Sequence, residues 1–126
     1  MCIRDSNHPW DLIFDNEGYL YFTDRTNHCV KKFTSKGDFV SAIGSEGSEP
    51  GQLKDPSFIV IDKDLLYVSE YGKNRISVFD TNGCFIHCFA KECSGEEKWD
   101  DTSGMAVDSL GNLYITENWK SRLIVL

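Results

Sequence analysis

Three aspartates recur at a near-constant interval: Asp15, Asp62 and Asp108 stand 47 and 46 residues apart. Carboxylates gathered around one axis would suit a hard divalent cation such as calcium or magnesium. The same residue also suits a tight turn, because an aspartate side chain accepts hydrogen bonds from backbone N–H groups just downstream. A residue present in every copy serves a need that every copy shares, so turn capping is the expected role. A second pairing recurs as Glu70 with Arg75 and Glu117 with Arg122, an acid before and a base after a short turn. Acid–base catalysis is one use of such a pair. The expected use is a mostly exposed ion pair across a hairpin, contributing about 0–1 kcal/mol. In the first copy Asp24 faces Cys29 and has no such partner.

The remaining reactive side chains are scattered. His8, His28 and His87 fall at three different places in the repeat, so they form no ring of ligands. No G-x-S-x-G, P-loop or Cys–His nucleophile pattern occurs, so neither a catalytic set, a metal site nor a cofactor is expected in this segment. The five cysteines are Cys2, Cys29, Cys84, Cys88 and Cys93, with no C-x-x-C pair. Cys84 and Cys88 are too far apart along one strand for a disulfide. The cysteines are expected to be reduced and to fill small apolar positions, which implies a reducing, cytoplasmic location.

These residues are carried by a repeating unit. Pro9-Trp-Asp-Leu-Ile-Phe-Asp15 returns as Pro56-Ser-Phe-Ile-Val-Ile-Asp62 and as Thr102-Ser-Gly-Met-Ala-Val-Asp108. Each is followed by an aromatic strand: Gly18-Tyr-Leu-Tyr-Phe-Thr-Asp24, Leu65-Leu-Tyr-Val-Ser-Glu70 and Gly111-Asn-Leu-Tyr-Ile-Thr-Glu117. Third strands begin at His28, Asn74 and Ser121, and two copies continue to a fourth, 37–43 and 83–89. In the second copy the strands are expected over 57–62, 65–69, 75–80 and 84–89. Leu20 and Phe22 face one way and Tyr19 and Tyr21 the other, so the strand is apolar on both faces. A sheet covered on both sides and repeated every 40–50 residues is a propeller blade. The expected fold is all-β: an incomplete arc of about two and two-thirds four-stranded antiparallel blades, where closed propellers have about four to eight. The divisions are a non-native tail at 1–6, blades at 7–53 and 54–100, and a truncated blade at 101–126. The chain reads as a fragment of a larger propeller.

The repeat resembles the NHL family of β-propellers. The residues that carry the resemblance are Gly18/Tyr21/Asp24/Asn27/His28/Val30, Tyr67/Glu70/Arg75/Ile76/Phe79 and Gly111/Tyr114/Glu117/Arg122/Leu123. The connection from Gly44 to Leu53 resembles the family's inter-blade linker. Cys29, Lys73 and Thr102 depart from the pattern, and the acidic connection 90–101 lacks its Gly-Pro-Gly. By this resemblance the chain is expected to be a rigid protein-interaction platform, like the substrate-recruiting propeller of tripartite-motif (TRIM-NHL) ubiquitin ligases, whose parent chains carry zinc-binding domains. A channel-metal propeller enzyme of the amidating-lyase or lactonase type, and RNA binding by an NHL domain, are the alternatives.

Charge narrows the partner. Net charge is −7. The rim formed by the second-to-third-strand turns and the inter-blade connections carries eleven acids against six bases. Phosphate binding needs clustered cations, so nucleic acid is not an expected partner. No apolar run reaches membrane-spanning length. Tyr71 and Trp119 occupy equivalent rim turns, and Trp99 lies on the connection between their blades. Together with Glu70 and Glu117 they are the expected partner-binding residues, and the acids Glu70, Glu96, Glu97 and Glu117 point to a peptide or protein bearing basic side chains.

Overall fold

The computed structural model describes residues 8–71, 73–89, 102–117 and 122–126, the last group without the side chain of Arg122. Eleven strands form three antiparallel sheets, and no helix occurs among the described residues. The first sheet holds β1 (Pro9–Phe14), β2 (Leu20–Asp24), β3 (Cys29–Phe33) and β4 (Phe39–Ile43), paired in that order. The second repeats it with β5 (Pro56–Asp62), β6 (Leu65–Glu70), β7 (Arg75–Asp80) and β8 (Phe85–Phe89). The third holds β9 (Thr102–Val107), β10 (Leu113–Glu117) and β11 (Arg122–Val125). The expected strands of the second copy match to within one residue at each end.

The first strand of each sheet packs against the first strand of the next, β1 on β5 and β5 on β9. This places them innermost, as in propeller blades. The seams between sheets are where the apolar repeat positions go. Tyr21, Val30 and Ile43 from the first blade meet Ile59, Leu66, Val68 and Phe79 from the second, with Leu53 of the connection wedged among them. Ile76 of the second blade meets Leu113 and Ile115 of the third, flanked by Tyr67 and Met105. Each such side chain contributes about 1.5–3 kcal/mol by leaving water. The two faces of the second strand therefore serve two different seams: Leu66 and Val68 look back, Tyr67 looks forward.

The outer faces of the arc are open. On the first blade Phe22 stacks on Phe33, while Leu12, Phe14 and Phe39 stay more than half exposed. On the third, Leu123 and Val125 do the same.

The aspartate turns divide. The Asp15 carboxylate accepts from the backbone N–H of Glu17 and of Tyr19, both at 2.9 Å, and from the Tyr21 hydroxyl. Asp108 accepts from Leu110 and Asn112 N–H and from the Tyr114 hydroxyl. In both turns a glycine at φ near +86° completes the reversal, a conformation that costs glycine little. Asp62 corrects the expectation of a cap in every copy. Its turn is one residue shorter, with Lys63 at φ 55°, and Asp62 makes no capping bond among the described residues. Asp80 does this work instead at the β7–β8 turn, accepting from Asn82 and Cys84 N–H.

Candidate functional site at the channel rim

The inner strands share an irregularity that the sequence reading missed. Pairing jumps between Pro9 and Leu12 on β1, between Pro56 and Ile59 on β5, and beside Glu117 on the β9–β10 ladder. Each jump is a β-bulge, which bends a strand and re-aims its side chains. Each lies opposite a hydroxyl residue of the second strand. Thr23 Oγ1 accepts from Asp11 N–H and donates to the Ser57 carbonyl of the next blade. Ser69 Oγ accepts from Phe58 N–H. Thr116 Oγ1 shares a hydrogen bond with Ser103 Oγ. The signal was visible as a Ser or Thr directly before the acid: Thr23-Asp24, Ser69-Glu70 and Thr116-Glu117.

The bulges bring residues of three blades to one cleft of about 510 Å³. Its walls are Trp10 from β1, Ser57 and Phe58 from β5, and Thr102 and Ser103 from β9, with Arg25 and Tyr71 from the turns after β2 and β6. Arg25 and Tyr71 are equivalent residues of successive copies, each directly after the acid that ends the second strand. The Arg25 guanidinium lies over the Trp10 ring at 4.7 Å and over the Tyr71 ring at 5.5 Å. Both rings are half exposed. Stacked on an aromatic face, a guanidinium keeps its in-plane N–H donors free for a ligand. No carboxylate pairs with Arg25 among the described residues.

Thr102 adds an anomaly. It stands where the first two copies have Pro9 and Pro56, is 2% exposed, and its Oγ1 is a buried polar atom with no hydrogen-bond partner among the described residues. Such a group costs about 1–3 kcal/mol unless something satisfies it.

The expected partner-binding residues fare differently. Tyr71 stands in the rim cleft. Trp99 and Trp119 lie outside the described residues. Glu70 is fully buried, as is Arg75 at 4% exposure, which corrects the expectation of an exposed ion pair. Glu70 Oε2 accepts from Arg75 Nε and from Ser77 Oγ, both at 2.6 Å, and Oε1 accepts from Arg75 Nη2 and from Lys54 N–H. Arg75 also donates to the carbonyls of Ser48 and Gln52 in the inter-blade connection. The physical reason is that this connection folds over the hairpin and excludes water from the pair. Glu117 is buried too and stands in register with Arg122. Neither glutamate presents its charge to solvent, so half the acids behind the expectation of a basic partner are removed from the surface. Glu96 and Glu97 lie outside the described residues.

The cysteines also need correcting. Cys29 and Cys84 are free thiols, Cys29 buried and Cys84 exposed. Burial, and then the neighbouring Asp24 carboxylate, push the Cys29 thiol up. Cys88 is disulfide-bonded, with its partner outside the described residues. An intra-strand Cys84–Cys88 bridge does not form, as expected, but the expectation of a fully reduced set fails. The histidines stay apart: His28 Nδ1 accepts from Asp55 N–H, and His87 sits edge-on to Phe89. No three His, Cys, Asp or Glu side chains converge as metal ligands among the described residues. No helix among them is long and apolar enough to cross a membrane.

No family model matches the chain. Its fold is that of solved β-propellers. It superposes on a putative exported protein from Bacteroides fragilis at a TM-score of 0.72 and 21% identity, covering 91% of this chain and 30% of that one. Virginiamycin B lyase from Staphylococcus aureus matches at a TM-score of 0.67 and 12% identity, over 94% of this chain and 40% of the lyase. A chain of the nidogen/laminin complex matches at 0.67 and 17%, over 93% and 47%. This chain thus spans less than half the length of these propellers. At such identities the likeness establishes the fold, and the fold hosts a lyase and a component of a protein complex alike.

Proposed function

We propose that this segment is the part of an NHL-type propeller that displays a protein-interaction site at the channel rim. The observation that carries this reading is the pair of half-exposed aromatic rings, Trp10 and Tyr71, held on adjacent blades around one guanidinium. Aromatic and arginine side chains of this kind anchor protein interfaces. The blades supply rigidity: two bulged strands and a packed seam fix the distance between the rings before any partner arrives. The repeat residues from Gly18 to Leu123 support the NHL assignment, and a TRIM-type ubiquitin ligase is one parent consistent with it.

Trp10→Ala and Tyr71→Ala in the full-length protein test the reading. Both leave the seams intact, so the melting temperature should hold. Cross-linked partner recovered with wild type should fall at least about tenfold with either variant, as hot-spot loss predicts. Undiminished recovery from both would end the reading.

A further inference from the structure

We infer that the rim cleft takes a side-chain carboxylate of an acidic peptide segment, so that the partner's charge at Tyr71 is negative. This deepens the reading above and rests on it. Among the described residues the cleft has one built-in charge, Arg25, whose guanidinium carbon lies over the Trp10 and Tyr71 rings. Its planar fork of N–H donors makes no hydrogen bond or ion pair among the described residues, and that fork matches a carboxylate held by two parallel hydrogen bonds. The Trp10, Phe58 and Tyr71 rings supply apolar walls for the carbon chain that bears the carboxylate. Thr102 and Ser103 stand in the wall contributed by the third blade. The buried Thr102 hydroxyl has no hydrogen-bond partner among the described residues and would gain one from a peptide amide or carboxylate oxygen. Glu70, the acid nearest in sequence to Tyr71, is fully engaged by Arg75, Ser77 and the Lys54 N–H, so it neither neutralises Arg25 nor attracts a cation. A nucleic acid would need several cations in a row, and one guanidinium on a chain of net charge −7 does not provide them.

The test uses the full-length protein immobilised on beads and pools of nine-residue peptides, N-acetylated and C-amidated. The pools share a fixed leucine and differ only in an adjacent fixed pair: Asp-Glu, Asn-Gln or Lys-Lys. A fourth pool carries Asn-Gln and a free C-terminus. The Asp-Glu pool should be retained about tenfold better than Asn-Gln at 0.15 M salt. Arg25→Gln should abolish that preference, and Arg25→Glu should turn it toward Lys-Lys. Thr102→Val should leave the free protein at least as heat-stable, because its hydroxyl bonds nothing among the described residues, yet should weaken retention of the Asp-Glu pool. Equal retention of the amidated pools, preference for Lys-Lys by wild type, preference for the free C-terminus, or Arg25-dependent capture of a single-stranded RNA 12-mer would each overturn the inference. These failures are distinct from failure of the interaction site itself, which is read from partner recovery with Trp10→Ala and Tyr71→Ala.

Discussion

The β2–β3 hairpin of the first blade and the β6–β7 hairpin of the second are the same structural unit solved in two ways. In the second, Glu70 faces Arg75 in register, and the pair is sealed under the connection 44–54. In the first, Asp24 faces Cys29, which offers no charge. Asp24 is nonetheless buried and satisfied. It accepts from the N–H and the side-chain amide of Asn27, and Lys31, two residues beyond Cys29 on the same strand face, approaches to 3.4 Å. The acid is thus required in both copies, but its partner is not. An arginine at the facing position reaches outward to the preceding inter-blade connection, whereas a lysine two residues on closes the account locally. This repeat position is a latch in one blade and a plug in the other.

Breaking the latch should have the largest effect. Arg75→Ala strands a fully buried Glu70 carboxylate and frees two carbonyls, so it should cost about 3–5 kcal/mol in urea unfolding of the full-length protein. The double variant Glu70→Leu with Arg75→Met should recover much of that loss, since an apolar pair removes the stranded charge. If Arg75→Ala behaves like a surface change, the pair is not a latch.

The plug should be less sensitive. Asp24→Ala removes hydrogen bonds made within one turn and should cost about 1.5–3 kcal/mol. Lys31→Met takes the cation from a buried carboxylate that keeps its two Asn27 bonds, so it should cost about 1–3 kcal/mol. A loss for Asp24→Ala equal to that for Arg75→Ala would erase the distinction between the hairpins.

The turns offer the same contrast in a titration. Hydrogen bonds from the Asn112 side chain and backbone, then from Tyr114 and Leu110, hold the Asp108 carboxyl down at about 2, below its ordinary 3.8. A depressed folded value means that the contribution is whole above pH 4 and disappears as pH falls toward 2. Asp108→Asn should therefore flatten the acid limb of the melting temperature between pH 4 and 2. Asp62→Asn, which removes no capping bond, should cost little at neutral pH.

The smallest effect concerns thiols. At pH 8 an alkylating reagent should modify exposed Cys84 well before Cys29, whose thiolate is disfavoured by burial and by Asp24. Cys88 should react only after reduction. Equal rates for Cys29 and Cys84 would mean that the first hairpin is open.

The blades were legible because seams make the same demand in every copy. Tyr21, Tyr67 and Tyr114, or Leu66 and Leu113, recur since each blade must cover its neighbour. The site was half legible for the opposite reason. Tyr71 stood out as an aromatic in a turn, but Arg25 and Trp10 occupy positions where the copies differ, and nothing periodic marks them. Only the bulges bring them together, and a bulge is a matter of pairing register that a repeat count does not reveal. The burial of Glu70 escaped for a related cause. The residues that cover it, Ser48 and Gln52, contribute carbonyl oxygens, and backbone oxygens leave no trace in residue type.

The latch also sets an order of events during synthesis. Arg75 grips carbonyls made 23 and 27 residues earlier, so until it arrives the connection 44–54 is held only by its own backbone bonds and by Leu53 against the first blade. It can be fastened only once β7 has emerged and paired with β6. Each blade is finished by the arrival of the next, and a chain stalled before Arg75 should carry a completed first sheet trailing a strap that proteases can still reach.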